Sequence, residues 1–138
     1  MPKLQAIRPT PDDMDTPNVA PEVITAMQRA IVRLFSLWGL TDAQACILLG
    51  ELSLRTYARW KTGSFGRVGP DLRDRLSNVI GIHKALRLLF RDAERGYRWV
   101  KQGNTAFGGR SALDVMLDGQ LTDLMRVRRY LDAQRAPW

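Results

Sequence analysis

The sequence has few of the side chains that do chemistry. It contains one cysteine, Cys46, and one histidine, His83. That pair excludes an internal disulfide, a Cys/His zinc site and most histidine-dependent nucleophilic dyads. Long apolar runs are missing too: none approaches the roughly 20 residues of a membrane-spanning helix. The N-terminus lacks the apolar stretch of a secretory signal. The expected location is therefore the cytoplasm, with no membrane partner. A phosphate-binding loop is also absent, because Gly63, Gly66 and Gly69 match no G-x-x-x-x-G-K-[ST] pattern and follow no strand. With Pro70 they read as a hinge. No acid, base and nucleophile converge along the chain, so an enzyme is the least favoured class, and neither a cofactor nor a metal is expected.

What is present is enough apolar material for a core, 45% of 138 residues, in one compact unit or two very small ones. The net charge of +7 and pI near 10.3 point to a polyanionic partner or an acidic protein surface. The charge is uneven. Residues 1–62 carry seven Lys/Arg against six Asp/Glu, and residues 63–138 carry fourteen against eight. Charge alone does not place a DNA-contacting element.

Residues 1–19 hold Pro2, Pro9, Pro11, Pro17 and an acidic Asp12-Asp13-Met14-Asp15 patch, with no apolar period. They read as a flexible arm, or alternatively as an extended strap on the body. Pro21 then opens an amphipathic helix through Val23, Ile24, Met27, Ile31, Leu34, Phe35 and Trp38, stopped at Gly39. Thr41 and Gln44 form a capping-box pattern for a short helix ending near Gly50, in which Cys46 is a buried core residue. Ser53 caps a second short helix, Leu54 to Lys61, and the pair is a helix-turn-helix arrangement.

On that second helix Arg55, Thr56 and Arg59 share a face, while Leu54, Tyr57 and Ala58 are expected to point to the core. Arginine forks onto guanine edges and Ser or Thr bonds phosphate or base. Ser53, Arg55, Thr56 and Arg59 are thus the candidate DNA contacts, with Lys61 on phosphate. The plainer alternative is a helical hairpin whose arginines solvate its surface. The stretch QACILLG followed by SLRTYARW resembles the helix-turn-helix of Xre-type regulators, with one residue more between Gly50 and Thr56 than the commonest form.

From Asp71, the residues Leu72, Leu76, Val79, Ile80, Leu86, Leu89 and Phe90 predict a long helix containing Gly81, which either admits a close neighbour or breaks the helix in two. His83 falls in this pattern as a packed or half-exposed residue. A helix over about Asp92–Lys101 carries Tyr97 and Trp99 and ends at Gly103-Asn104. Phe107 precedes Gly108-Gly109, Ser111 and Asp114 fit a capping box, and Gly119 precedes a closing helix from Gln120 to Ala133. There Leu121, Leu124, Met125, Arg128 and Leu131 recur at helical spacing, with Arg126 and Arg129 outward. On their own these residues read as core and turn formers, and the whole as all-α.

In order, Trp99, Asn104, Phe107-Gly108-Gly109, Leu113-Asp114, Leu117 and Gly119 resemble the toxin-binding domain of the Xre/MbcA/ParS antitoxins. Members often have Pro before the Leu-Asp pair, where this chain has Ala112. After the arm at 1–19, the resemblance implies an Xre-like helix-turn-helix domain at 20–63 and a helical toxin-binding domain at 69–138. It implies an antitoxin that neutralises a neighbouring RES-domain toxin that destroys NAD+, and that represses its own operon by binding operator DNA. Trp99, Asn104, Phe107, Gly108, Leu113, Arg135 and Trp138 are then the candidate toxin-binding residues. The tail Gln134-Arg135-Ala136-Pro137-Trp138 would approach the toxin's NAD+ entrance, Trp138 offering a stacking surface and a carboxylate; alternatively Trp138 folds onto its own bundle. Helix-turn-helix proteins usually read palindromes as dimers, so a homodimer within a larger complex is expected. Two rival readings are a stand-alone regulator whose second half only dimerises, and a localisation or scaffold module.

Overall fold

The computed structural model describes residues 20–135. The expected arm at 1–19 and Trp138 lie outside the described residues. Among them are seven α-helices: α1 (Pro21–Leu37), α2 (Asp42–Leu48), α3 (Leu54–Lys61), α4 (Pro70–Leu89), α5 (Ala93–Trp99), α6 (Ala112–Met116) and α7 (Leu121–Arg135). A 3-10 turn spans Thr105–Phe107, and the only β pairing among the described residues is an isolated bridge between Gly103 and Ser111. The all-α expectation holds. No helix of the described residues is long and apolar enough to cross a membrane.

The helix starts follow local chemistry. Thr41 Oγ1 accepts from the Gln44 amide at 3.1 Å while Gln44 Oε1 accepts from the Thr41 amide at 3.0 Å. Ser111 and Asp114 make the same reciprocal pair at the start of α6, and Ser53 and Asp92 cap α3 and α5. Pro21 and Pro70 open α1 and α4, where a missing amide proton costs nothing.

One continuous core runs from Ile31 on α1 to Leu131 on α7. Helix α4 is its spine, contributing Leu76, Val79, Ile82, Ala85 and Leu86, and it packs along α7 on one side and α1 on the other. Gly81 does not break it. The residue is buried, and a Cβ there would lie 2.5 Å from Cζ of Arg128, so the glycine admits the Arg128 side chain of α7. The segment between α3 and α4 is also tied down: Gln28, buried in α1, donates to the Gly66 carbonyl at 3.3 Å, and Phe65 packs edge-on against Trp60.

Two sequence expectations about the core are corrected. Leu54 and Ala58 face solvent, Leu54 at 59% exposure, and the inward pair on α3 is Tyr57 with Trp60. Residues three apart share a helix face, and Trp60 offers the larger apolar area, so α3 rotates to bury it. Val23 is half exposed because α1 extends a turn beyond the core it packs on. On α7, Val127 joins Leu124 and Leu131 as a buried residue, while Met125 is half-buried.

The turn between α2 and α3 holds two successive left-handed positions, Gly50 at φ 79° and Glu51 at φ 67°. The amides of Glu51 and Leu52 both reach the Cys46 carbonyl. Arg75 on α4 closes over this turn. It is almost fully buried, its Nη1 donates to the Leu48 carbonyl at the end of α2 (3.2 Å) and its Nε donates to Asp71 Oδ2 (2.8 Å). A Cβ on Gly50 would stand 2.7 Å from Arg75 Nε. Gly50→Ala is thus expected to cost about 1–3 kcal/mol, combining left-handed strain with displacement of a buried arginine. Gly63→Ala, at φ 89° with nothing within 4 Å, should cost only the strain. Urea midpoints of the two variants measure the difference, and equal shifts would remove Arg75 from the account.

Candidate functional site

The outward face of α3 is the first candidate surface. Arg55 and Arg59 lie one turn apart, both exposed, and neither makes a salt bridge among the described residues. Leu54 and Ala58 share that exposed side. The other three candidates are already engaged. Ser53 Oγ accepts from the Thr56 amide at 3.0 Å and donates to Thr56 Oγ1 at 2.9 Å, so both hydroxyls are committed to the first turn of α3. Lys61 Nζ binds Asp42 through both carboxylate oxygens, at 2.8 and 3.0 Å, and lies 6.0 Å from the Tyr57 ring centre. Lys61 therefore joins the end of α3 to the start of α2. With both partners half exposed, such a pair adds little stability, about 0–1 kcal/mol, and its main effect is orientation.

Beneath this face the electrostatics follow burial. Tyr57 is pushed up to about 12, first by burial and then by the negative charge of Asp42. Burial also pushes the Cys46 thiol up, reinforced by Asp42 and Glu51, which leaves an unreactive core thiol as expected from the sequence.

The second candidate surface is built by the chain from α5 to α6. Asn104 Oδ1 accepts from the Ala106 amide at 2.9 Å, and the Asn104 carbonyl accepts from both Phe107 and Gly109. Gly108 adopts φ 67° in the turn that follows. The Leu113 amide donates to the Val100 carbonyl at 2.9 Å, docking α6 on the end of α5. Arg110 fixes α6 from outside through paired bonds to Asp118 at 2.9 and 3.0 Å, and these bonds hold the Asp118 carboxyl below the usual carboxylate range.

This loop places an aromatic group at the surface. Trp99 stacks on Tyr130 of α7 with centroids 6.1 Å apart and planes 8° apart. Phe107 meets both rings edge-on, at 6.4 Å and 5.2 Å, and the Arg126 guanidinium lies 5.3 Å from its centre. Trp99 and Tyr130 are half-buried, whereas Phe107 and Leu113 are buried. Trp99 thus keeps exposed surface over Phe107, while Asn104 and Gly108 shape the neighbouring turn and Leu113 is buried in the core. Arg135 is exposed at the end of α7 and pairs with Asp132 at 3.1 Å.

Sequence reasoning missed Tyr130, whose pairing with Trp99 spans the fold and leaves no local trace. It also missed Leu88, 68% exposed on α4. Leu89, Phe90, Trp99 and Tyr130 line a cleft of about 220 Å³ near the end of α7. Among the described residues no cluster of His, Cys, Asp and Glu is grouped to hold a metal.

Comparison with known proteins matches two successive parts of the chain. Residues 25–81 match the family model of the antitoxin Xre-like helix-turn-helix domain. Residues 85–136 match that of the antitoxin Xre/MbcA/ParS C-terminal toxin-binding domain. A curated relative, the uncharacterized protein y4oB of Sinorhizobium fredii (strain NBRC 101917 / NGR234), is 41% identical over 112 residues, covering 81% of this chain and 86% of that protein. The first match ends within α4, the helix that packs against both α1 and α7.

The Tyr57 phenol is an acid whose folded pKa lies above the ordinary 10.0. The stability it contributes is complete below pH 10 and is lost as pH rises toward about 12, a loss of up to about 2–3 kcal/mol. Urea titrations across this range should show a smaller alkaline loss for Tyr57→Phe. An identical alkaline profile for the variant would mean that Tyr57 is not the responsible group.

Proposed function

The chain belongs to the Xre/MbcA/ParS family of antitoxins, and from that premise we propose that it neutralises a RES-domain toxin that degrades NAD+ and represses its own operon. As a member it is an antitoxin of a toxin–antitoxin pair with a helix-turn-helix and a toxin-binding domain. The finer reading rests on one observation: a single chain carries both an α3 face with two exposed arginines and, away from it in sequence, a half-exposed aromatic stack.

For DNA, Arg55 and Arg59 are the base- and phosphate-reading residues. Ser53, Thr56 and Lys61, whose polar groups are bonded within the fold, set the helix that presents them. The operator-reading part lies within residues 20–63, acting as a homodimer on a palindrome in the cytoplasm. The part within 69–138 meets the toxin. There Trp99 is the anchor with Tyr130 stacked beside it, as expected of aromatic hot spots, and Asn104, Phe107, Gly108 and Leu113 hold it in place. Arg135 and Trp138 continue from α7 to the toxin's NAD+ entrance and obstruct it.

Co-expression with the adjacent reading frame, followed by co-purification and measurement of cellular NAD+, tests the whole reading. A stable complex with NAD+ restored is the expected result; no complex and untouched NAD+ would put a stand-alone regulator in its place. Tyr130→Ala should weaken the complex by about 2 kcal/mol with the helical spectrum unchanged, and deletion of Trp138 should weaken neutralisation by a similar amount. Arg55→Ala with Arg59→Ala should abolish operator retardation while leaving toxin binding intact.

A further inference from the structure

The chain's one histidine takes no part in either surface. His83 lines a cleft of about 410 Å³ formed by residues of α1, α4 and α5. Its Nδ1 is buried without a hydrogen-bond partner among the described residues, which leaves Nε2 as the ring nitrogen open to a ligand. Burial lowers the imidazole pKa and the charge of Arg87 lowers it further, so the ring is a neutral polar group at pH 7.

The rest of the cleft has two contrasting parts. Leu34, Leu37 and Ile80 make an apolar wall, and Leu37 remains 43% exposed. Arg33 and Arg87 stand at the same cleft, exposed, and neither is in a salt bridge among the described residues. An inorganic anion would satisfy the guanidinium groups and leave the apolar wall in water. A neutral hydrocarbon would do the reverse. A molecule anionic at one end and apolar at the other satisfies both, and the volume is that of a small-molecule site.

We infer that this cleft binds a small carboxylic acid with an apolar tail, the carboxylate held between Arg33 and Arg87 and the tail on Leu34, Leu37 and Ile80. Nε2 of His83 and the Tyr97 hydroxyl supply further polar contacts at the wall. The occupant would touch α1, which belongs to the helix-turn-helix part, together with α4 and α5, and would stabilise their packing by mass action. The site is independent of the toxin and operator readings.

Because His83 is the sole histidine, its ring resonances report on this cleft alone. The full chain is titrated with octanoate, and in parallel with acetate and with 1-octanol, while the His83 ring signals are followed by NMR. Octanoate should shift them saturably, with an affinity at least about tenfold above acetate, which lacks the tail, and 1-octanol, which lacks the charge. Arg33→Gln and Arg87→Gln, both at exposed positions, should each weaken octanoate about tenfold. Unmoved His83 signals would overturn the site. So would equal responses to all three probes, or octanoate binding indifferent to both substitutions.

Discussion

Helix α4 is buried against α1 on one side and α7 on the other, and the placement of both candidate surfaces depends on that shared burial. Leu76, Val79, Ile82, Ala85 and Leu86 are almost fully enclosed. Removing one such side chain typically costs about 2–5 kcal/mol, a large share of the stability of a chain this size. Two arginines refine the packing. Arg75 reaches from α4 to the end of α2 and sets the turn that orients α3. Arg128 reaches from α7 onto Gly81 and sets how closely the last helix lies.

This arrangement makes the two functional parts mechanically continuous. A chain of separate domains would join them through a loose connection, but here the segment after α3 is held by Gln28 and Phe65, and the core passes through without a gap. The family match for the helix-turn-helix part accordingly extends into α4. The aromatic surface around Trp99 leans on α7 through Tyr130, and α7 packs along α4, which also reaches the end of α2 through Arg75. Helix α4 is thus shared by the packing of both parts, without a loose connection between them.

The candidate residues divide by what their polar groups already do. Ser53, Thr56, Lys61 and Asn104 are bonded within the fold, and Phe107 and Leu113 are enclosed by it. Arg55, Arg59 and Trp99, by contrast, keep exposed surface.

Much of this protein was determined by sequence alone. Caps at Thr41, Ser53 and Ser111 act over three residues, and prolines and glycines act on their own backbone, so helix number and order were legible. The all-α class and the burial of Cys46, Phe35 and Trp38 followed from spacing. Only tertiary structure decided the rotation of α3, because the choice between Leu54 and Trp60 depends on which neighbour each would meet. It also decided the role of Gly81, since the arginine that fills its space lies on a helix about fifty residues later. The Trp99–Tyr130 stack and the His83 cleft were equally invisible in advance: each joins side chains from separate helices, and no local periodicity encodes a contact across the core.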